Sequence, residues 1–380
     1  MRYALLLSTL VLSIGFVAPA EADGPVAFIS SFAGGEAGAI NAFEFDLASG
    51  ALKPLKQTTG IANPFFLALS SDGKFLYSNY SKNFGGKEPE EVAAFEIVGR
   101  TGELKALNRH SAKGTVTCYV DIDVTGRTAV AANYGSGSTV SLPVKADGSL
   151  GEAVSFFEHL KPGDDAGAAK PDKTASHAHA AVVGPDNRHV YVPDLGLDRV
   201  FVYRLDAATA KLTPSEPPYT QLPQGLGPRH LTFHPGGKFA YVINEHGNSV
   251  TMLDFDAASG ALTPKQTLST VPADFTGKSY CADVKVTPNG RFLYGTNRGH
   301  DSIAIYSIGD DGKLTLVGIE PSLGKGPQNL AITADGAWLL CANMPGKNVA
   351  VFRIDAKSGA LKSAGEPTAL ASPSCIMLLK

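Results

Sequence analysis

The chain has 380 residues, of which 44% are hydrophobic and 18% are charged, so it is long enough to bury a large core. Its formal net charge of −3 provides neither a basic stripe for nucleic acid nor a polybasic segment for a membrane surface. These values argue against nucleic acid and other polyanions as partners, and the 41 glycines and 24 prolines indicate a turn-rich protein.

The first 22 residues have the pattern of a secretory signal peptide. Arg2 gives a short positive end, residues 4–17 form an apolar run, and small residues between positions 18 and 22 provide cleavage sites. The alternative, a buried first strand, fits less well because the run does not alternate. We therefore expect an exported, soluble mature protein, periplasmic or secreted, and no later segment is long and apolar enough to span a membrane.

The rest of the chain is built from a repeat whose first half contains the phrase Gly-Lys-Phe-Leu-Tyr. Close copies begin at Gly73, Gly237 and Gly290, and looser copies lie at Gly126, Asn187 and Gly336. The copies are roughly 50 residues apart and are separated by short alternating strands and turn residues without helical periodicity, a pattern typical of propeller blades.

The second half of the repeat is a Val-rich strand that ends in Asp and is followed by a Gly-Ala-Leu turn. It occurs seven times when weaker copies are included; the unpaired copy lies at residues 39–52, and residues 372–378 resemble the start of a first half. The sequence thus predicts an all-β fold, one seven-bladed β-propeller domain over residues 23–380 with four-stranded blades. The last blade is closed by the N- and C-terminal strands, so removal of residues 371–380 is expected to unfold the ring.

Four cysteines and one insertion stand out from the regular pattern. The cysteines are Cys118, Cys281, Cys341 and Cys375. They lack CxxC spacing, so zinc or thioredoxin chemistry is not expected. In an oxidising compartment they would either form disulfides or remain buried thiols. Residues 163–176 interrupt the repeat with Gly, Ala, Asp and Lys, either as a loop that overhangs the channel or as a surface insert.

Two positions in each repeat are expected to meet at one mouth of the central channel, the start of the first strand and the end of the second. When the repeats are aligned on their turn glycine, the first position holds His179 and Arg229 in consecutive blades. The second position holds Glu245 and Arg298, again in consecutive blades. Departures from a repeat that cluster in space indicate function, so these four residues are the predicted catalytic set, suited to an oxygen-rich anion.

Residues that occupy or adjoin the same positions are predicted to bind substrate: Tyr134, His177, His230 and Asn297. Asn297 also belongs to a recurring set expected to cap hairpins through side-chain to backbone hydrogen bonds, Asn133, Asn244, Asn297 and Asn343, with Asp194 as the variant.

The candidate residues also have structural interpretations. His177 and His179 point the same way in a strand, as a metal pair would, but no third ligand is placed, so no metal is predicted. A purely structural salt bridge between Arg229 and Glu245 is an alternative, as is a solvated position for Arg298.

The motifs that carry these residues resemble those of the lactonase family of seven-bladed β-propellers, which includes propeller-type 6-phosphogluconolactonases and the fungal carboxy-cis,cis-muconate cyclase. The resemblance covers residues 27–380, and its most specific parts are Ser-His-Ala-His at residues 176–179, Gly-Pro-Arg-His at 227–230, Asn-Glu at 244–245 and Asn-Arg at 297–298. In the family a His, Arg, Glu, Arg set at these motifs is taken as the active site. The resemblance therefore implies that His179, Arg229, Glu245 and Arg298 open a lactone.

The expected reaction is direct attack of water on a small lactone, without metal or cofactor, because no nucleophilic Ser or Cys motif is present. His179 or Glu245 would take the proton from water, and a His with a pKa of about 6.5 suits neutral pH better. Arg229 and Arg298 would hold the oxyanion, or a carboxylate or phosphate of an anionic lactone, bidentately.

Three other functions are compatible with the sequence to a lesser degree. An exported propeller can bind a protein or a carbohydrate without turnover. Another reaction, such as lactone formation, would use the same charged set. A calcium-dependent lactonase of the six-bladed kind needs a carboxylate-rich channel, where this chain has Arg and His.

Overall fold

The computed structural model describes residues 22–160 and 176–380, and in these residues seven antiparallel sheets surround a central channel. The strands are numbered in chain order. Blade 1 contains the first three strands and the last one, namely β1 (Val26–Ser31), β2 (Ala39–Phe45), β3 (Leu52–Thr59) and β29 (Pro373–Leu379). Blade 2 contains β4 (Leu67–Leu69), β5 (Phe75–Tyr80), β6 (Glu91–Val98) and β7 (Glu103–Ser111).

The middle blades follow the same meander. Blade 3 contains β8 (Thr117–Ile122), β9 (Thr128–Asn133), β10 (Ser138–Pro143) and β11 (Ser155–Glu158). Blade 4 contains β12 (Val182–Val183), β13 (His189–Asp194), β14 (Arg199–Asp206) and β15 (Lys211–Gln221). Blade 5 contains β16 (Pro228–Phe233), β17 (Phe239–Asn244), β18 (Ser249–Asp256) and β19 (Ala261–Ser269).

Two further blades complete the ring. Blade 6 contains β20 (Tyr280–Val286), β21 (Phe292–Arg298), β22 (Ser302–Ile308) and β23 (Leu314–Pro321). Blade 7 contains β24 (Pro327–Ile332), β25 (Trp338–Asn343) and β26 (Asn348–Ile354), and its outer edge is divided into β27 (Leu361–Ser363) and β28 (Thr368–Ala369). A 3₁₀ helix, Gly35–Ala37, lies between β1 and β2. The predicted seven-bladed all-β fold is confirmed.

Both ends of the chain close blade 1, as the repeat count predicted. The antiparallel register pairs Val26 with Leu379 and Ile29 with Ile376, so the last strand of the chain is the innermost strand of this blade. Arg100, in blade 2, also holds both ends: its Nε donates to the carbonyl of Ala22 at 3.0 Å and its Nη1 to the carbonyl of Lys380 at 2.7 Å.

The two halves of the repeat bond to each other between adjacent blades. The Tyr that ends the first-half phrase donates its hydroxyl to the carbonyl of the turn Gly of the next blade, as Tyr241 does to Gly312 at 2.9 Å and Tyr294 to Gly359 at 2.8 Å. Tyr77 and Tyr191 make the same bond. The turn requires Gly, because φ is +77° at Gly312 and an added Cβ would lie 2.5 Å from the Phe239 ring.

The recurring Asn at the end of the second strand caps its hairpin, as expected. Asn133 donates to the carbonyl of Ala112, in the linker from the preceding blade, at 3.0 Å, and to the hydroxyl of Ser138 at 3.1 Å. Asn297 and Asn343 make the corresponding pairs of bonds. These three residues therefore tie their hairpins to the blade before, whereas Asn244 bonds only within its own blade, to Ser249 and Thr251.

The four cysteines are buried and free, so the structure shows thiols and not disulfides. Residues 1–21 of the expected signal peptide lie outside the described residues, as do residues 163–175 of the expected insertion. Within the described ranges there is no helix with the length and apolar character needed to cross a membrane.

Candidate active site

A β-bulge at the start of the first strand places two consecutive residues toward the channel. In blade 5 the register shifts between Pro228 and His230, so Arg229 is the extra residue. The same shift occurs in blade 7 and in blade 3. Of the two consecutive residues that the bulge turns toward the channel, the first, Arg229 in blade 5, lies at the mouth. The second, His230, lies one layer deeper. The bulge thus explains why Arg229 and His230 both reach the channel although they are neighbours in sequence.

The carboxylate of Glu245 is the centre of the site. Its Oε2 lies 2.9 Å from Nε of Arg229 and 2.9 Å from Nη2 of Arg298. The Nε2 atom of His179 is 3.9 Å from the same oxygen. The structure therefore brings together all four residues of the predicted catalytic set, from the mouth positions of blades 4, 5 and 6.

Arg229 is a buried cation beneath this carboxylate. Its side chain is only 1% exposed, and its Nη1 donates to the carbonyl of Ala282 at 2.5 Å and lies 3.1 Å from Nε2 of His230. Burial, and then the nearby charge of Arg298, lower the pKa of Arg229 to about 10. Because its guanidinium is covered, Arg229 can hold Glu245 in place and add positive charge to the site. The expectation that Arg229 binds a substrate group bidentately does not fit this burial.

Arg298 is the cation that faces the open mouth. Its side chain is 27% exposed, and Nη2 donates to the carbonyl of Cys281 at 3.0 Å while it pairs with Glu245. A pocket of about 520 Å³ adjoins this pair, between blades 6 and 7. Lys278, Lys325 and Gln328 contribute to its wall. Glu245 and Asp301 also line the pocket, and neither lysine forms an ion pair within the described residues, so two free ammonium groups stand beside Arg298 and the two carboxylates.

His179 is buried and uncharged. Burial, reinforced by the positive charge of Arg229, holds the pKa of His179 well below its usual value. The thiol of Cys118 lies 3.7 Å from Nδ1, and the ring of Tyr134 packs edge-on at 5.2 Å between centroids. The sequence-based expectation of a His with an ordinary pKa is therefore corrected: the imidazole is neutral throughout the neutral range.

Tyr134 and His177 extend the site on its blade 3 side. Their rings stack at 4.4 Å with an angle of 13°, and Nδ1 of His177 donates to the carbonyl of Tyr134 at 2.9 Å. Tyr134 thus contacts both imidazoles of the His177–His179 pair. Among the described residues, no cluster of three or more His, Cys, Asp or Glu side chains is arranged to hold a metal ion.

His230 lies in the layer beneath the site, where it helps to close the channel. Its ring contacts Phe66 at 5.7 Å and Tyr119 at 5.2 Å between centroids. Its Nδ1 is 2.9 Å from Oδ1 of Asp283, and burial lowers the pKa of His230 to about 3. This neutral imidazole supports Arg229 and packs edge-on against the ring of His179 at 5.5 Å between centroids, and it is buried.

Asn297 is fully buried, and its amide nitrogen donates to the carbonyl of Thr270 at 2.7 Å and to Ser302 Oγ at 3.1 Å. These contacts place it in the hairpin. Of the four residues predicted to bind substrate, the structure brings Tyr134 and His177 to the mouth and does not bring His230 or Asn297 there.

Sequence reasoning missed the network that positions the His177–His179 segment. Oδ1 of Asp194 accepts the backbone N–H of His177 at 2.9 Å, and Oδ2 is bound by Ser176 and by Nδ1 of His159 at 2.8 Å. The other nitrogen of His159 lies 2.9 Å from Thr139 Oγ1. The sequence contained a signal, since Asp194 is the position where the recurring hairpin Asn becomes Asp.

The second missed residue is Asp283, which follows the mouth position of blade 6. Besides His230, it binds Nζ of Lys285 at 3.1 Å and Nδ2 of Asn329 at 2.8 Å. Burial alone would raise the pKa of Asp283, but Lys285 and His230 hold it below its usual value. Alignment of the repeats one residue further along the first strand would have revealed this layer.

Comparison with known proteins gives one consistent family. A family model described as a seven-bladed β-propeller lactonase matches residues 26–378. A 6-phosphogluconolactonase of Bacillus subtilis is 31% identical over 355 residues, which cover 93% of this chain and 98% of the relative. A 6-phosphogluconolactonase of Formosa agariphila is 32% identical over 348 residues, covering 88% of this chain and 94% of the relative.

Solved structures agree with these sequence relatives. The structure of a periplasmic gluconolactonase of Pseudomonas aeruginosa superposes with a TM-score of 0.85 at 28% identity, covering 94% of this chain and 99% of the other.

Proposed function

The chain belongs to the lactonase family of seven-bladed β-propellers, and from that premise we propose that it opens a lactone to its hydroxy acid by direct attack of water. The reaction class follows from the relatives, whose names specify lactone hydrolysis. The observation in this chain that carries the proposal is the carboxylate of Glu245, held between Arg229 and Arg298 beside a neutral His179 at the channel mouth.

His179 is the proposed general base. A water that bridges its Nε2 and Oε2 of Glu245 would be within hydrogen-bond reach of both, since those atoms are 3.9 Å apart. His179 takes one proton as the water oxygen bonds to the lactone carbonyl carbon. When the tetrahedral intermediate collapses, the ring C–O bond breaks and the proton passes to the departing alkoxide. Glu245 is assigned to hold this water and to orient Arg298, because its Oε2 already pairs with the guanidinium groups of Arg229 and Arg298.

Arg298 is the proposed electrophile. It is the partly exposed cation of the set, so its guanidinium can approach the carbonyl oxygen, where negative charge develops in the transition state. Glu245 fixes its orientation, and Arg229 fixes Glu245 from below. Tyr134 and His177 form the adjacent wall and are proposed to contact the lactone ring.

An anionic substituent on the lactone would be accommodated on the blade 6–7 side. Lys278 and Lys325 line the pocket that adjoins Arg298 and would attract a carboxylate or a phosphate. We also propose that the protein is exported after removal of residues 1–22. The pattern of that segment and the periplasmic location in the name of the Pseudomonas aeruginosa structure support export.

Hydrolysis of a panel of lactones, plain and phosphorylated, with a chelator present, tests the proposal. We expect acid release well above the spontaneous rate by residues 23–380. Release should fall about 10²-fold or more in Arg298→Ala, since an oxyanion donor contributes about that much. Arg291→Ala is the matched control, because Arg291 is an exposed arginine elsewhere in blade 6. Release that is equal in the two variants would contradict the role of Arg298, and release at only the spontaneous rate by the unaltered protein would contradict the function.

A further inference from the structure

The wall of the mouth that faces the charged site is aromatic. Phe32 lies in blade 1 at the position that Glu245 occupies in blade 5, one residue after the end of the second strand. Phe65, in blade 2, lies at the position of Arg229, since Leu67 and Leu231 have equivalent partners in their second strands. Phe32 and Phe65 therefore occupy, in two adjacent blades, the two kinds of mouth position that Glu245 and Arg229 occupy within blade 5.

Ring geometry places the two pairs opposite each other. The blades follow one another in order around the channel, so in a ring of seven the junction of blades 1 and 2 faces blade 5. A contact across the channel agrees with this arrangement, because Phe66 of blade 2 reaches His230 of blade 5 at 5.7 Å between centroids. The charged residues and the aromatic residues therefore lie on opposite sides of the channel, above the same layer of packed rings.

Phe84 completes the aromatic wall through an extended hairpin. Residues 81–90 connect β5 to β6 in blade 2, whereas residues 245–248 suffice for the equivalent hairpin in blade 5. The ring of Phe84 packs edge-on against Phe32 at 4.9 Å and stacks with Phe65 at 5.9 Å. Phe32 and Phe65 meet edge-on at 5.3 Å. All three rings are only partly buried, so carbon surface stays exposed at these positions.

The extended hairpin is fixed in place by a buried acid. The carboxylate of Glu90 accepts the backbone N–H of Gly85 at 3.3 Å and that of Thr117, in blade 3, at 2.7 Å. At the other end of the loop, the amide of Asn63 donates to the carbonyl of Ser81 at 2.8 Å. Both ends of the hairpin are thus anchored to the propeller, which keeps Phe84 against the other two rings.

We propose that Phe32, Phe65 and Phe84 bind an apolar substituent of the lactone while its ester group lies at Glu245 and Arg298 across the mouth. This proposal rests on the proposed function and deepens it, because it assigns the substrate class: lactones that combine the polar ester with an alkyl or aryl group. The three rings have no hydrogen-bonding atom, so they select carbon surface. Because the three rings and the charged site belong to the same channel mouth, the group that binds to the rings is proposed to be part of the substrate.

Two lactones that differ only in an alkyl tail test this subsite. We expect the unaltered protein to favour δ-decalactone over δ-valerolactone in kcat/KM. Phe84→Ala should reduce that preference by about tenfold, since contact with one aromatic side chain contributes about that much. Phe84→Leu, which keeps carbon surface, should retain most of it. Phe156→Ala is the control, because Phe156 is 39% exposed on the outer strand of blade 3.

Binding of the corresponding acids separates failure of this proposal from failure of the proposed function. Calorimetry would compare 5-hydroxydecanoate with 5-hydroxypentanoate on the unaltered protein and on Phe84→Ala. Tighter binding of the longer acid, lost in Phe84→Ala, supports the subsite even if neither lactone is hydrolysed. Equal binding of the two acids, or an equal loss of both in Phe84→Ala, overturns it whether or not the protein turns lactones over.

Discussion

At the scale of single residues, the two buried histidines of the site differ in their layer and not in their charge. His179 and His230 are both buried next to Arg229, and both imidazoles have a lowered pKa and are neutral. His179 lies beside Glu245, whereas His230 packs against Phe66 and Tyr119 and bonds to Asp283. The proposed base is therefore His179, because it adjoins the carboxylate at the mouth and His230 lies one layer deeper.

The lowered pKa of His179 predicts the pH dependence of the reaction. A base is active in its neutral form, and burial keeps His179 neutral as the pH falls below about 6.5, the ordinary value for His. The acid limb of kcat/KM should therefore lie well below pH 6.5, and His179→Gln should lower kcat by about 10²-fold or more. Initial rates between pH 4 and pH 9 would measure both effects; a limb centred near pH 6.5 would show that another group titrates.

At the scale of elements, the blades are joined by bonds between the two halves of the repeat. Each hydroxyl of the repeat Tyr reaches across to the turn of the next blade, and the turn Gly packs on an aromatic ring of the preceding one. In blades 2, 4, 5 and 6, the phrase that reveals the repeat in the sequence therefore also bonds the blade to the next one.

Loss of one such bond should destabilise the whole protein measurably. Tyr241→Phe leaves the buried carbonyl of Gly312 without this donor, and we expect the free energy of unfolding to fall by about 1–2 kcal/mol. Tyr280→Phe is the matched control, because Tyr280 is 46% exposed, and it should change stability by less than about 0.5 kcal/mol. Urea denaturation of the two variants gives the comparison; equal midpoints would argue against the bond.

The repeat also explains how much of the site was predictable. Alignment on the turn glycine gives the backbone position of a residue, so it identified His179, Arg229, Glu245 and Arg298 as neighbours. It gives no information on what covers a side chain. The burial of Arg229 depends on the Ala282 carbonyl of blade 6 and on the ring of its own neighbour His230, which the bulge turns into the channel.

The sequence could not tell whether Asn297 caps its hairpin or contacts the substrate, because both roles favour an amide side chain at that position. The structure shows its amide bonded within the hairpin. The aromatic wall was missed for a different reason. A Phe at a strand position is equally consistent with packing in the core, and Phe84 lies in a hairpin longer than the equivalent one in any other repeat.

At the scale of the whole molecule, stability depends on the pairing of the two chain ends. The last strand supplies the inner edge of blade 1, and its residues Cys375 and Ile376 are buried in the core. Without it, β1 would expose an unpaired edge, and the channel wall would be open between blades 7 and 2.

Removal of residues 371–380 is therefore expected to abolish cooperative unfolding. Calorimetry of the truncated protein should show no transition, or one at a much lower temperature. Arg100→Ala is a milder change at the same place, since it removes the bonds to the carbonyls of Ala22 and Lys380 and should lower the melting temperature by several degrees. Arg127→Ala is the control for Arg100→Ala, because Arg127 is an exposed arginine in blade 3. A truncated protein as stable as the full chain would contradict the role of the closure.

The closure also affects when the protein can fold during its biosynthesis. Chains generally begin to fold from the N-terminus while they are being made, but here β1 must wait for β29, which is made after all the other strands. The ring thus stays open until β29 has been made. A chain that completes its first blade last leaves the inner edge of β1 unpaired while the six other blades are made.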